Sequence, residues 1–210
     1  MPTLPTTHLV PSRRPSDRLL VVLHGRGDHA GGFRWLPDAL GLDDLGYLLV
    51  DAPDPWGPGL SWYDLPPHQA PGVLRSRGLL DALFASLVDQ GQDPARTALL
   101  GFSQGCLMTL EWGARTALPL AAYVGVSGYV LDPEALLAER HAQADRPVWL
   151  VTHGLHDEVL PFEVTAAQVA RLQQGGLPVR FEAWPKTHTI DPHEELPAIR
   201  AFLQERLGLA

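Results

Sequence analysis

Apolar residues in this chain fall into short dense runs, separated by longer stretches in which they recur at helical spacing. Arg18–Leu23 is one such run, ending in His24-Gly25-Arg26-Gly27-Asp28, and it predicts a buried strand feeding a glycine loop. Tyr47–Val50, the run that opens at Thr97, Ala121–Val126, Val148–Thr152 and Val179–Trp184 predict further strands. Between them, helices are predicted from about Gly32 to Leu40 and from about Val73 to Gln90. The second carries Leu79, Leu80, Leu83, Leu87 and Val88 at helical spacing. A helix after Gly105 carries Leu107, Leu110 and Ala114 on one face. Asp132-Pro133 opens another, with aspartate as N-cap and proline at the first helical position. Pro161–Gln174 is stopped by Gly175-Gly176. The closing helix starts with Asp191 as N-cap, Pro192 at the first position and Glu194 at the third, and runs to about Leu207.

Strands that alternate with helices, most of them apolar throughout, imply an α/β fold whose mostly parallel central sheet is covered by helices on both faces. Residues 1–17, rich in proline, threonine and serine, read as an N-terminal segment with a short edge strand around His8–Val10. No repeat, linker or charge block divides residues 18–210, which read as a single domain. The interval from Gly128 to Val148 is too short for an inserted lid. Ala52–Gly72 is the exception to the pattern, a long stretch dense in proline and glycine. Connections of that length are usually functional or disordered, and Trp56, Trp62 and Tyr63 argue against disorder.

Composition narrows the partners. At 210 residues, with 45% hydrophobic and 19% charged residues, the chain can bury one substantial core. Its net charge of −8 repels phosphate, which disfavours nucleic acid and anionic membranes. Cys106 is the sole cysteine, so no intrachain disulfide forms. The start of the chain lacks the basic and apolar regions of a signal peptide, and no apolar run approaches membrane-spanning length. A cytoplasmic protein without an integral membrane segment, monomeric or homodimeric, is the expectation.

The chemistry centres on Thr97-Ala-Leu-Leu-Gly-Phe-Ser-Gln-Gly-Cys106. Gly101-Phe-Ser-Gln-Gly105 between a strand and a helix has the form of a nucleophile elbow, a strained turn that holds a serine Oγ above the sheet edge. A serine needs a histidine base held by a carboxylate. In α/β-hydrolases these follow in the order serine, acid, histidine, at the carboxyl ends of later strands. Asp157 follows the Val148–Thr152 strand, and His188 follows the last strand. Glu158 is a rival for the acid. His193 is a rival for the base, but lies in the first turn predicted for the closing helix. The oxyanion needs preorganised donors, expected from the backbone amide of Gln104 and, in the first glycine loop, that of Arg26. The Arg26 guanidinium would then be free at the mouth of the site. His24 reads as a structural histidine bonded to loop backbone. Zinc needs three or four converging ligands. His153 and His156 near Asp157 have no further cluster of ligand spacing, so neither a metal nor a cofactor is expected.

His24-Gly-Arg-Gly-Asp28, Ser61-Trp-Tyr-Asp64, Gly101-Phe-Ser-Gln-Gly105, Ser127-Gly128, His153-Gly…Asp157…Pro161 and His188-x-Ile190 together resemble the signature blocks of the phospholipase/carboxylesterase family. This is the acyl-protein thioesterase-like group of α/β-hydrolases. The resemblance runs from about Arg18 to Leu207. It implies a lidless serine hydrolase that cleaves carboxylic esters or thioesters, of a small molecule or a lipid, without a cofactor. It also implies a carbonyl bound at Arg26 and Gln104, and an acyl pocket at Trp62 and its neighbours Tyr63 and Leu160. The family commonly places glycine before the catalytic histidine and an acid after it, whereas this chain has Thr187 and Thr189. A serine peptidase or amidase on the same fold, and a catalytically silent binding module, are the alternatives.

Overall fold

The computed structural model describes residues 5–146 and 148–209; residues 1–4, on which the readings of the chain start and of the beginning of the 1–17 segment rest, lie outside it. In chain order the strands are β1 (Thr7–Val10), β2 (Leu19–Leu23), β3 (Gly46–Val50), β4 (Asp54–Trp56), β5 (Gly59–Ser61), β6 (Thr97–Phe102), β7 (Ala122–Val126), β8 (Trp149–Gly154) and β9 (Val179–Trp184). The α-helices are α1 (Leu36–Leu40), α2 (Gln69–Asp89), α3 (Gln104–Gly113), α4 (Pro133–Glu139), α5 (Phe162–Gln174) and α6 (Glu195–Leu207).

Seven strands form one sheet in the order β1-β3-β2-β6-β7-β8-β9, and all its pairings are parallel except that of β1 with β3 at the edge. The apolar runs are continuous because both faces are covered. Along β2, Val21 and Leu23 pack with α2 and α3, while Leu20 and Val22 pack with α1 and α6. α3 is buried along its whole length. The parallel strands all end at one edge of the sheet, and the loops that leave β2, β6, β8 and β9 gather there. In open α/β sheets this is where ligands bind.

Several elements differ from the pattern reading, among them the closing helix, which begins at Glu195 rather than at Pro192. The helix expected over 32–40 is a 3₁₀ turn (Ala30–Phe33) followed by the short α1. Pro37 has no N–H, and its ring would clash with the carbonyl of Phe33 in a continuous helix. α2 begins at Gln69, four residues earlier than expected, because Pro71 falls in the first turn where its missing donor is not needed. The 52–72 stretch contains the β4–β5 hairpin. That hairpin is held by tertiary contacts, with Gly27 N–H donating to the Leu60 carbonyl and Leu60 N–H to the Asp28 carbonyl, both at 2.8 Å.

The two elbow glycines have distinct steric roles. A Cβ at Gly101 would strike the Gly105 carbonyl of α3, and one at Gly105 would strike the Leu23 carbonyl of β2. Both obstacles are backbone, so neither can swing aside. Gly105→Ala is therefore expected to destabilise the fold by about 2 kcal/mol. In a thermal melt this corresponds to a fall in Tm of roughly 4–8 °C for a chain of this size.

Candidate active site

The loop between β6 and α3 places Ser103 at the carboxyl edge of the sheet, with φ 53° and ψ −112°. A residue with a side chain adopts this region only under constraint. Here the constraint is visible. Ser103 N–H donates to the Val126 carbonyl at 2.9 Å, and the Ser103 carbonyl accepts from Cys106 N–H at 3.0 Å.

His188 and Asp157 converge on this serine from the loops after β9 and β8. His188 Nε2 lies 3.0 Å from Ser103 Oγ, and His188 Nδ1 lies 2.8 Å from Asp157 Oδ2. With Nδ1–H donating to the carboxylate, Nε2 is left free to accept the serine proton. Asp157 is held in turn, since its Oδ1 accepts from the amides of Val159 at 3.0 Å and Leu160 at 2.8 Å. The rivals stand elsewhere: Glu158 is exposed, and His193 is exposed in the turn before α6 rather than within it. Asp191 caps that turn through His193 N–H and Glu194 N–H. The reciprocal bond expected from Glu194 comes instead from Glu195, which accepts from Asp191 N–H at 2.9 Å.

The amide of Gln104 is the first of α3 and has no carbonyl four residues back to bond. Arg26 lies in a loop whose neighbouring groups are fixed, with Asp28 N–H donating to Gly25 and Gly27 N–H to Leu60. His24, completely buried, donates from Nδ1 to the Gly25 carbonyl at 2.6 Å and accepts Ala52 N–H at Nε2 at 3.0 Å, so it serves loop backbone. A cavity of about 590 Å³ opens on Ser103 and His188, walled on its apolar side by Trp56, Tyr63, Tyr129, Val159 and Leu160. Trp62, expected in that wall, is absent from it. Its indole is fully buried and donates to the His24 carbonyl at 2.8 Å, which turns it into the core. Trp56, brought over by the β4–β5 hairpin, takes the lining role, and the Arg26 guanidinium lies 4.0 Å above its ring. Among the described residues, no three His, Cys, Asp or Glu side chains stand close enough to hold a metal ion. No described helix is long and apolar enough to cross a membrane.

The profile of the phospholipase/carboxylesterase family matches residues 5–207. The chain belongs to this family. As a member it is a carboxylic ester hydrolase on the α/β-hydrolase fold. It is 30% identical to acyl-protein thioesterase 1 of Yarrowia lipolytica over 78% of this chain and 79% of that protein. It is 28% identical to acyl-protein thioesterase 1 of Aspergillus fumigatus, over 94% and 91%. The crystal structure of esterase PE8 superposes with a TM-score of 0.87 at 30% identity, covering 98% of this chain and all of that one.

Two side chains of this family member matter beyond what its motifs indicate. The Gln104 side chain accepts from Trp62 N–H at 2.9 Å and Ser61 Oγ–H at 3.1 Å, and donates to the Tyr63 carbonyl at 2.8 Å. It thereby ties the pocket wall to the elbow. An amide at the start of a mostly apolar, fully buried helix was its only signal. His153 is fully buried behind the acid, donates from Nε2 to the Leu160 carbonyl at 2.8 Å and faces Asp157 Oδ2 at 3.5 Å. It anchors Leu160 through its carbonyl, on the far side of the residue from the N–H that holds Asp157.

These buried groups set the response to acid. Burial holds both His24 and His153 below the ordinary imidazole value of 6.5. As the pH falls through that value, the unfolded chain takes up protons that the folded chain refuses, and stability drops. Burial alone would raise the Asp157 carboxyl. The amides of Leu160 and Val159 and the His188 partner outweigh it and hold the group below the ordinary 3.8. Its contribution is present above 3.8 and is lost as the pH falls below that value. Urea melts should therefore show unfolding free energy declining between about pH 7 and 5 and again below about pH 4. His153→Gln should flatten the first decline.

Proposed function

We propose that the chain hydrolyses carboxylic esters and thioesters through an acyl-enzyme on Ser103, with His188 as general base and acid and Asp157 as its orienting carboxylate. The observation that carries this reading is the unbroken relay from Asp157 Oδ2 through His188 to Ser103 Oγ, at 2.8 and 3.0 Å, built from the ends of separate strands. Ser103 Oγ adds to the substrate carbonyl as its proton passes to His188 Nε2. The carbonyl oxygen becomes an oxyanion received by the backbone amides of Arg26 and Gln104. The tetrahedral adduct expels the alcohol or thiol, which takes the proton from His188. Water, deprotonated by the same nitrogen, then adds to the acyl carbon, and the second adduct releases the carboxylic acid and regenerates the serine.

The apolar wall of Trp56, Tyr63, Val159 and Leu160 favours an acyl chain over a charged group as the part of the substrate buried beside Ser103. A small-molecule or lipid ester fits that description, and the likeness to acyl-protein thioesterase 1 adds thioesters to the substrates worth testing.

Ser103→Ala should lower kcat on p-nitrophenyl esters by roughly 10⁴-fold or more while the circular dichroism spectrum is unchanged. A fluorophosphonate probe should label the wild-type protein at Ser103 and leave the variant unlabelled. Undiminished turnover by the variant would remove Ser103 from the mechanism. Absence of labelling in the wild type would point to a silent binding module, and equal rates on matched esters and amides to an amidase. A rate profile over esters and thioesters from acetyl to palmitoyl should peak at an acyl length above acetyl; a profile that declines steadily from acetyl would contradict an apolar acyl wall.

A further inference from the structure

His188 stands in the loop between β9 and α6, on no regular element of its own, so something else must hold the imaginary line from its ring to Ser103. The residue best placed to do so is Lys186, the only lysine in the chain. Its side chain turns inward and is 4% exposed. Its ammonium donates to Ser127 Oγ at 2.8 Å and to the Thr189 carbonyl at 2.6 Å, and it pairs with Glu195 Oε1 at 2.9 Å. An ammonium has three donors. Two hydrogen-bond acceptors, from the end of β7 and from the loop, and the carboxylate of the first residue of α6 surround it. Glu195, itself fully buried, uses its second oxygen to accept Asp191 N–H at 2.9 Å. Burial pushes the Lys186 ammonium below the ordinary lysine value, and Glu195 opposes that shift.

These contacts close a ring around the histidine. The bond from the Lys186 side chain to the Thr189 carbonyl spans the tetrapeptide that contains His188, and Thr189 N–H donates to the Thr187 carbonyl at 2.8 Å inside it. The ring is seated on the end of β8 and the loop after it, where a Cβ at Gly154 would strike the Lys186 carbonyl and His156 N–H donates to that same carbonyl at 3.1 Å. Stability is a weak reason to keep such a pair, because desolvating two charges costs about as much as their attraction returns.

We propose that the buried Lys186–Glu195 pair, together with Ser127, is a positioning bracket that sets the imidazole of His188 at hydrogen-bond distance from Ser103. The inference rests on the reading of His188 as the general base. Without the bracket, the loop retains its backbone path at β9 and α6 but the ring is free to drift, and a displacement of about 1 Å is enough to cost up to roughly 10²-fold in rate.

Replacing either charged partner alone strands the other, so the decisive variant is Lys186→Met combined with Glu195→Gln, in which the glutamine can still accept Asp191 N–H. This full-length variant is expected to melt cooperatively. Its kcat on p-nitrophenyl butyrate should fall about 10–100-fold while KM stays within about two-fold. The downfield Nδ1 proton of His188, followed by NMR on ¹⁵N-histidine protein, should broaden or vanish. A folded double variant with wild-type kcat overturns the proposal. Where the double variant fails to fold, Ser127→Ala carries the test, because it removes one acceptor and no charge: kcat lowered several-fold at constant KM supports the bracket, and wild-type kcat overturns it. His188→Ala is measured alongside. Activity that survives that change refutes the role of His188 itself, whereas an inactive His188→Ala beside a fully active double variant refutes only the bracket.

Discussion

The close approach of α3 to β2 and β6 is the constraint on which the site depends. Gly105 lies against the backbone of β2 and Gly101 against the backbone of α3, so helix and sheet meet without side chains between them. That proximity forces the turn between them to be short, and the short turn drives Ser103 to φ 53°. The strain persists because burial of α3 along its length and three backbone hydrogen bonds to Ser103 over-determine the turn. A looser junction would let the serine relax toward ordinary backbone geometry and lower its hydroxyl from the sheet edge.

Everything that meets the serine arrives through loops, and each loop is fixed by a different device. Asp157 is held by two amides of its own loop, and His153 bonds the Leu160 carbonyl from behind. The first glycine loop is tied to the β4–β5 hairpin by paired backbone bonds, which also carry Trp56 to the cavity. The Gln104 side chain stitches the segment Ser61–Tyr63 to the elbow helix. These bonds join polar groups across separate elements, which offsets the cost of burying them where water is excluded. The surrounding network leaves the cavity wall largely apolar and concentrates polarity at Ser103, His188 and Asp157.

Much of this is written locally in the chain. Continuous apolar runs of strand length identify the parallel sheet, because a strand buried on both faces has no polar side to alternate with. Gly101, Ser103 and Gly105 announce the elbow at a strand-to-helix junction. Asp157 and His188 are legible because the fold ends its strands at one edge, so sequence order translates into spatial convergence. Asp132, read as an N-cap, accepts from Glu134 and Ala135 N–H. These signals work because each depends on backbone geometry within a few residues.

Other features are set by contacts between residues far apart in the chain, and no local pattern encodes them. Whether a tryptophan lines the cavity or fills the core was decided by the hairpin's docking, which turns Trp56 to the site and leaves Trp62 bonded to the His24 carbonyl. The start of α6 follows from Glu195 reaching back to Asp191 while pairing with Lys186. A lone lysine in a sequence is a solvated cation by default, and only the convergence of β7, the His188 loop and α6 makes it an interior one. The sequence alone determined which chemical groups exist and at which strand ends they lie. The tertiary structure decided which of them are desolvated and what they face, because burial and pairing belong to the packed chain and not to any short stretch of it.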